Sequence, residues 1–506
     1  MYYVSTRNKN LRVRSTEAIL RGLAPDGGLF VPESIPALSG QDILRLGKAG
    51  YAERAAYITS LYLDEFTEEE LYRYSCKAYG KDRFAAPHPT PVIRVGKEYY
   101  LELWHGPTCS FKDMALQMFP YLLTASLEKS DCGKNALILV ATSGDTGKAA
   151  LEGFRDVDGT KVMVFYPKNG VSDIQELQMI TQKGSNVFVQ AVDGNFDDTQ
   201  TGVKRIFSDE EIASEVLAAG WQLTSANSIN WGRLLPQIVY YVSTYCDMVA
   251  SGDISSGEEI NICVPTGNFG NILASWYAKR MGIPIRKLIC ASNDNNVLTD
   301  FFHTGFYDRN RDFFCTISPS MDILISSNLE RLLFDLTAMD DGMVGKLMGE
   351  LAESGRYEVP GDVKKAMDDY FHADFSTEEE TKAAIERVWS EERYLLDPHT
   401  AVAADVMQKY RNATGDRTRS IIVSTANPYK FCEAVLDAIG MTTGSEGGTS
   451  EGIELADILY EATGVPVPGQ ISMLRTAEVR FDGSIPKEEM GAAVVYFALD
   501  RTAGKT

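Results

Sequence analysis

Three short stretches of this 506-residue chain carry residue types and spacings able to do chemistry. In residues 105–113 (HGPTCSFKD), Lys112 stands among small and apolar neighbours just after a Gly-Pro turn. A lysine amine becomes a nucleophile when desolvation or a neighbouring cation lowers its pKa, and it can then condense with an aldehyde. In residues 265–271 (PTGNFGN) a strand pattern ends, two glycines bracket Asn268 and Phe269, and a helix pattern begins. Such a turn aims consecutive N–H groups at one spot, which the positive helix end also faces, and this makes an anion site suited to a phosphate. Residues 141–148 (ATSGDTGK) have the same build, with the hydroxyls of Thr142, Ser143 and Thr146 beside Gly144 and Gly147. This second turn is not a nucleotide phosphate loop, because that pattern needs Gly at 142 and Ser or Thr at 149, where the chain has Thr142 and Ala149. Two anion cradles and one activatable amine point to one or two ligands carrying two separate anionic groups. Taken singly, each has an ordinary reading: most lysines are surface groups, and a tight turn between strand and helix need bind nothing.

These stretches need a scaffold, and the surrounding pattern supplies one. The apolar run 135–141 leads through a polar turn into a helix pattern from about Thr146. Residues 161–166 precede a helix pattern over 172–181, and 186–192 precede another from about Phe196. Residues 259–264 lead through the glycine turn into 272–281, and 285–291 and 420–424 repeat the strand pattern. Short apolar strands alternating with helices predict parallel sheets covered on both faces, an α/β protein. Residues 1–85 read as a separate unit, with a turn-rich segment at 22–32 and a capping box formed by Thr67 and Glu70. Three prolines in residues 85–91 mark the boundary. Between about Leu333 and Trp389 the strand signal gives way to helical periodicity, with a capping box at Ser376 and Glu379, which predicts a helical insertion. Residues 442–452 (TTGSEGGTSEG) read as a flexible surface loop.

Composition narrows the function classes. With 44% hydrophobic and 24% charged residues the chain reads as globular, and its length exceeds one ordinary core. A formal net charge of −21 argues against a nucleic-acid partner but leaves open a small anionic substrate, which needs only local donors. The first ten residues lack the basic start and apolar stretch of a secretory signal, and the longest strongly apolar run, 136–141, is far short of a membrane span. The expected location is cytoplasmic, with no membrane partner. Eight scattered cysteines without a CxxC pair predict reduced thiols, and five histidines without HxH or HExxH spacing predict no metal site.

In this order, HGPTCSFKD, ATSGDTGKAA (141–150), NSINWGR (227–233), PTGNFGN and SPSMDILISSNLER (318–331) resemble the threonine synthase family. So do the opening YYVSTRN and the GLAPDGGLFVP of residues 22–32. The spacing fits the branch of bacteria and fungi and covers the chain to about Lys430. The FKD and GNFGN motifs mark the fold in general. The amino-terminal unit, GNFDDTQ (194–200) and SPSMDI separate this family from cysteine synthases and serine dehydratases. The resemblance implies a fold-type II pyridoxal-phosphate enzyme. Its parts would be an amino-terminal domain over 1–85, a catalytic core of two parallel-sheet subdomains over 86–440 with a helical insertion at about 333–395, and a carboxyl-terminal segment over 441–506.

By the same resemblance, Lys112 carries pyridoxal 5'-phosphate as a Schiff base, and Gly267, Asn268, Phe269 and Asn271 bind the cofactor phosphate. Thr425, in STANPYKF, sets its hydroxyl against the pyridine nitrogen. Ser143, Asp145 and Thr146 lie in the loop that grips the substrate α-carboxylate in similar enzymes. Charge and closeness to these motifs make Lys148 and Arg233 candidates for holding the leaving phosphate, though each also reads as a structural or surface cation, and His105 reads equally as a pocket or a structural residue. The family reaction converts O-phosphohomoserine and water to threonine and phosphate by γ-elimination followed by β-addition of water. Another lyase or dehydratase of the same fold, acting on a hydroxy amino acid, is the alternative. The family commonly has STAHPAKF, so Asn427 replaces His and Tyr429 replaces Ala while the Thr425 hydroxyl is kept.

Overall fold

Strands built from consecutive apolar residues bury both faces and must be sandwiched by helices. The computed structural model, which describes residues 1–86, 88–130, 135–441 and 452–500, meets this requirement twice. One sheet runs in the order Phe371–Phe375, Ile285–Ser292, Ile260–Pro265, Ser420–Ser424, Glu98–Glu102, Val92–Val95. Its neighbours are parallel except for the terminal hairpin of Val92–Val95 with Glu98–Glu102. The second sheet is wholly parallel, in the order Ser484–Pro486, Val187–Asp193, Thr160–Pro167, Asn135–Ala141, Trp221–Ser225. The chain is therefore an α/β protein with two parallel-sheet subdomains, and its carboxyl-terminal segment supplies an edge strand of the second.

The amino-terminal unit is anchored by aromatic packing. A three-stranded antiparallel sheet (Asn8–Arg14, Tyr2–Ser5, Phe30–Pro32) precedes a helical stretch ending in Glu68–Ala78, which Thr67 and Glu70 cap as their spacing predicts. Tyr3 and Tyr62 close on Trp231 with ring centroids 5.4 and 5.6 Å away. Trp231 opens the 21-residue helix Trp231–Ser251 of the core, so the unit is fastened to an element that also borders the site. Each such aromatic pair adds about 0.5–1.5 kcal/mol beyond its buried area.

Two expectations are corrected. The region 333–389 is not purely helical, because Phe371–Phe375 forms the parallel edge strand beside Ile285–Ser292 and Arg356–Glu358 pairs with Phe306–Asp308. These strands have five and three residues, too few for a period of two to stand out between helices. The helix Glu378–Glu392 is capped by Thr377 and Glu380, one residue beyond the expected pair, because the Ser376 hydroxyl instead accepts a bond from Thr381. Residues 442–451 of the expected glycine-rich loop, and Cys132, lie outside the described residues; the other seven cysteines are free. Among the described residues no helix is long and apolar enough to cross a membrane.

Candidate active site

Residues 109–111 run back along 425–427, with Phe111 N–H donating to the Thr425 carbonyl at 2.8 Å and Asn427 N–H to the Cys109 carbonyl at 3.1 Å. This pairing sets Lys112, first residue of the helix Lys112–Leu116, beside the carboxyl end of the strand Ser420–Ser424. In open α/β sheets that end is where ligand crevices form. The turn is held by buried Asp113, which accepts from the Thr108 N–H at 2.8 Å and the Thr108 hydroxyl at 2.7 Å. A Cβ on Gly106 would come within 2.5 Å of the Asp113 carboxylate, so only glycine fits there. Burial pushes the Asp113 carboxyl up to about 6.

The Lys112 amine donates to Ser320 Oγ at 3.1 Å and faces Asp145 Oδ2 at 3.5 Å. Burial lowers its pKa, Asp145 opposes that shift, and the charges of Lys430 and Arg233 add to it. A desolvated amine with a lowered pKa is what imine formation with an aldehyde requires.

Both glycine turns meet at this amine. Lys112, Ser143, Thr146, Thr425 and the whole turn Gly267–Asn271 line one cavity of about 340 Å³. The helix Gly270–Arg280 starts at that turn, with Phe269 in the left-handed region at φ 63°. A Cβ on Gly267 would lie 2.5 Å from the Ser320 carbonyl. Ser326 Oγ donates to the Gly267 carbonyl at 2.7 Å, and Asn328 N–H to the Asn268 carbonyl at 3.1 Å. The stretch 318–331 thus forms the outer wall of the turn, and Arg331, donating to the Phe30 and Ile229 carbonyls, ties it to the amino-terminal unit. Asn271 accepts from the hydroxyls of Tyr240 and Tyr241 at 2.6 Å each, while its buried amide nitrogen has no partner.

Arg233 lines the same cavity. It is 4% exposed, no carboxylate among the described residues pairs with it, and its Nε is unpartnered, its one hydrogen bond going to the Ala226 carbonyl. Burial pushes its pKa down to about 9. Holding an uncompensated charge in the interior costs several kcal/mol, a cost that a bound anion would remove. Gln200, Lys204, Asn227 and Ser228 border the cavity with it.

Two sequence candidates behave differently from expectation. Lys148 does not line this cavity; its amine contacts Gln182 and lies 3.8 Å from Glu152, because the helix Asp145–Phe154 turns that face toward its own next turn. Asp145 is 2% exposed and its carboxylate is already engaged by Lys430 at 2.8 Å, Gln175 at 2.8 Å and Lys112. Burial raises its pKa, but Lys430 and Lys112 outweigh burial and hold it far below the usual carboxylate range. Of the three loop residues, Ser143 and Thr146 line the cavity and Asp145 does not. His105 takes its structural reading, paired with Glu102 at 2.6 Å and stacked on Trp104. Asn427 caps its own turn by accepting from Tyr429 N–H at 3.0 Å, and buried Tyr429 bonds to the Val465 carbonyl; neither lines the cavity.

Sequence reasoning missed Ser320, His399 and Lys430. Ser320 lies inside the motif 318–331 but carries no signal by type. His399 is held by Asp397, its Nδ1 2.9 Å from that carboxylate and its Nε2 accepting Ser320 N–H at 3.2 Å, so it braces the residue that touches Lys112. The Asp-Pro-His-Thr string at 397–400 was the available signal, since Asp before Pro opens a helix and places its carboxylate over the first turn.

Comparison with known proteins gives three family matches: "Threonine synthase N terminus" over residues 2–79, "Pyridoxal-phosphate dependent enzyme" over 85–426 and "Threonine synthase, C-terminal" over 400–482. The threonine synthase of Corynebacterium glutamicum is 37% identical over 87% of this chain and 91% of its own length. Human threonine synthase-like 1 is 43% identical over 86% of this chain, which spans 59% of that longer relative. The crystal structure of PLP-bound threonine synthase from Brucella melitensis superposes with a TM-score of 0.86 at 35% identity, covering 98% of this chain and 99% of the other.

Proposed function

Because this chain belongs to the threonine synthase family, we propose that it converts O-phospho-L-homoserine and water to L-threonine and phosphate in the cytoplasm, using pyridoxal 5'-phosphate held on Lys112. The observation that carries this reading is one cavity lined together by a partly buried amine, a glycine turn at a helix start and a buried arginine with no carboxylate partner among the described residues. The residues fit the cofactor: the turn at Gly267 has room only for backbone, and the Asn271 amide nitrogen beside it is an unsatisfied donor.

Gly267, Asn268, Phe269 and Asn271, at the start of the helix Gly270–Arg280, would hold the cofactor phosphate through backbone N–H groups. Thr425, which lines the cavity, would offer the ring nitrogen a hydroxyl and not a carboxylate. When bound, the cofactor supplies a conjugated ring that spreads the negative charge left by loss of a proton next to the substrate amine. Lys112 is the base that takes this α proton and returns it, steered by Ser320 at 3.1 Å and Asp145 at 3.5 Å. Ser143 and Thr146 donate to the substrate α-carboxylate. Arg233 holds the phosphate that leaves the γ carbon, the bidentate role for which a guanidinium is suited. Lys148 is not retained in that role.

Product analysis tests the reading. Incubation with O-phosphohomoserine and the cofactor yields threonine and phosphate in equal amounts. Release of 2-oxobutyrate or an aldehyde in place of threonine would assign the chain to a dehydratase or another lyase.

A further inference from the structure

Lys430 is fully buried, and no step above uses it. It sits in the short turn Pro428–Phe431 that follows Thr425, in the motif STANPYKF. Its amine donates to Asp145 Oδ1 at 2.8 Å and to the Thr108 carbonyl at 2.8 Å. Its own carbonyl accepts from Ser172 Oγ at 2.9 Å, the residue that caps the helix Asp173–Ile180. That helix supplies Gln175, which donates to the same Asp145 oxygen at 2.8 Å, and Gln178, which donates to the same Thr108 carbonyl at 3.3 Å. Both ends of Lys430 are therefore fixed, and through it the turn after one sheet is joined to the loop after the other.

One carboxylate thus stands between the fully buried amine of Lys430 and the partly buried amine of Lys112. We propose that Lys430 is a positioning residue for Lys112: it claims one oxygen of Asp145, presents the other to the Lys112 amine, and so leaves Lys112 with a shared instead of a private counter-ion. The inference rests on the reading of Lys112 as the reactive amine.

The two distances show how Asp145 divides between the amines. Lys430 lies 2.8 Å from Asp145 and has a second acceptor in the Thr108 carbonyl, whereas Lys112 lies 3.5 Å away and has only a hydroxyl besides. In a poorly solvated site two ammonium groups cannot share one carboxylate without cost, and the charge of the less closely held one is disfavoured. A private Asp145–Lys112 ion pair would have the opposite effect, fixing Lys112 as an ammonium with no lone pair to offer. The charged and titratable groups facing Lys112 are Asp145, Lys430 and Arg233; those facing Lys430 are Asp145, Asp113, Cys109, Lys148 and Lys112. The lowered pKa of Lys112, to which burial and then Lys430 contribute against Asp145, agrees with this arrangement.

The test reads the amine itself. The full-length chain, freed of cofactor, is pulse-acetylated with acetic anhydride between pH 6 and 10, and the Lys112 peptide is quantified by mass spectrometry. Replacing Lys430 by Met raises the labelling midpoint of Lys112 by at least about one pH unit, so that at pH 7 the amine reacts about tenfold more slowly than in the parent. Lys430→Arg, which keeps the charge, restores the midpoint to within about half that interval. Where Lys430→Met does not fold by circular dichroism, Lys430→Gln keeps a donor for the Thr108 carbonyl and carries the same prediction. A midpoint that stays put or falls in the folded uncharged variant overturns the proposal. Cofactor trapping plays no part in this readout, so an error in assigning the cofactor lysine shows elsewhere and leaves this result interpretable.

Discussion

Arginine 233 gives the sharpest test of the site, because its two roles predict effects of opposite sign. In the ligand-free protein it is a guanidinium 4% exposed with no carboxylate partner among the described residues. Replacing a poorly compensated buried charge by an apolar side chain of similar length removes a desolvation cost, and such exchanges run from neutral to a gain of about 1–4 kcal/mol. The lost bond to the Ala226 carbonyl takes back about 1 kcal/mol. Arg233→Met is therefore expected to lie between about 1 kcal/mol less and about 3 kcal/mol more stable than the parent, with no larger loss. With substrate bound the sign reverses. A charge-assisted bond to phosphate is worth about 1.5–3 kcal/mol, so the variant should lose about ten- to a hundredfold in kcat/KM for O-phosphohomoserine. The assay pairs urea denaturation without ligand with steady-state phosphate release. Inorganic phosphate at about a hundred times its Kd adds about 2.7 kcal/mol to a protein that binds it, and it should protect the parent more than the variant. A variant that is clearly less stable yet keeps its kcat/KM would show that Arg233 is a structural cation, and the phosphate assignment would fail.

Two further predictions concern the frame of the site. Gly267→Ala puts a Cβ 2.5 Å from a backbone carbonyl, which cannot yield as a side-chain tip can, so affinity for pyridoxal phosphate should fall at least about tenfold by equilibrium titration while affinity for pyridoxal, which lacks the phosphate, falls less. Equal losses for both ligands would detach the turn from the phosphate. Asp113 tests a pH dependence: its folded pKa, raised by burial from 3.8 to about 6, means that the folded state holds a proton the unfolded state has released. The resulting stabilisation is complete below 3.8 and is lost as pH rises through about 6, so Asp113→Asn should gain on the parent by up to about 3 kcal/mol between pH 4 and 7. A difference in unfolding free energy that does not change with pH would contradict this.

Much of the scaffold was legible because its strands are buried on both faces and read as unbroken apolar runs. Residues 135–141 and 420–424 coincide with Asn135–Ala141 and Ser420–Ser424 for that reason. Phe371–Phe375 was not legible: its alternation lasts five residues at a sheet edge between two helices. The helix Trp231–Ser251 was hidden by Pro236, which removes a backbone donor near its first turn but is tolerated because the rest of the helix is packed in the core. Around the cavity, the turn Gly267–Asn271 that lines it was readable from glycine spacing. Charges were harder. Asp145 shares its loop with true cavity-lining hydroxyls, and nothing local reveals that Lys430, far downstream, already occupies its carboxylate. Lys148 pointed the wrong way for a similar reason, since Glu152 one helical turn on and Gln182, just beyond the helix Asp173–Ile180, capture it.

Reduction with borohydride followed by peptide mapping tests the central claim most directly, because it reports the cofactor and its point of attachment together. The chain reconstituted with pyridoxal 5'-phosphate is expected to carry one pyridoxyl group, on the peptide containing Lys112, and Lys112→Ala is expected to carry none. A label on any other lysine, or an unlabelled chain after reconstitution, would contradict the account.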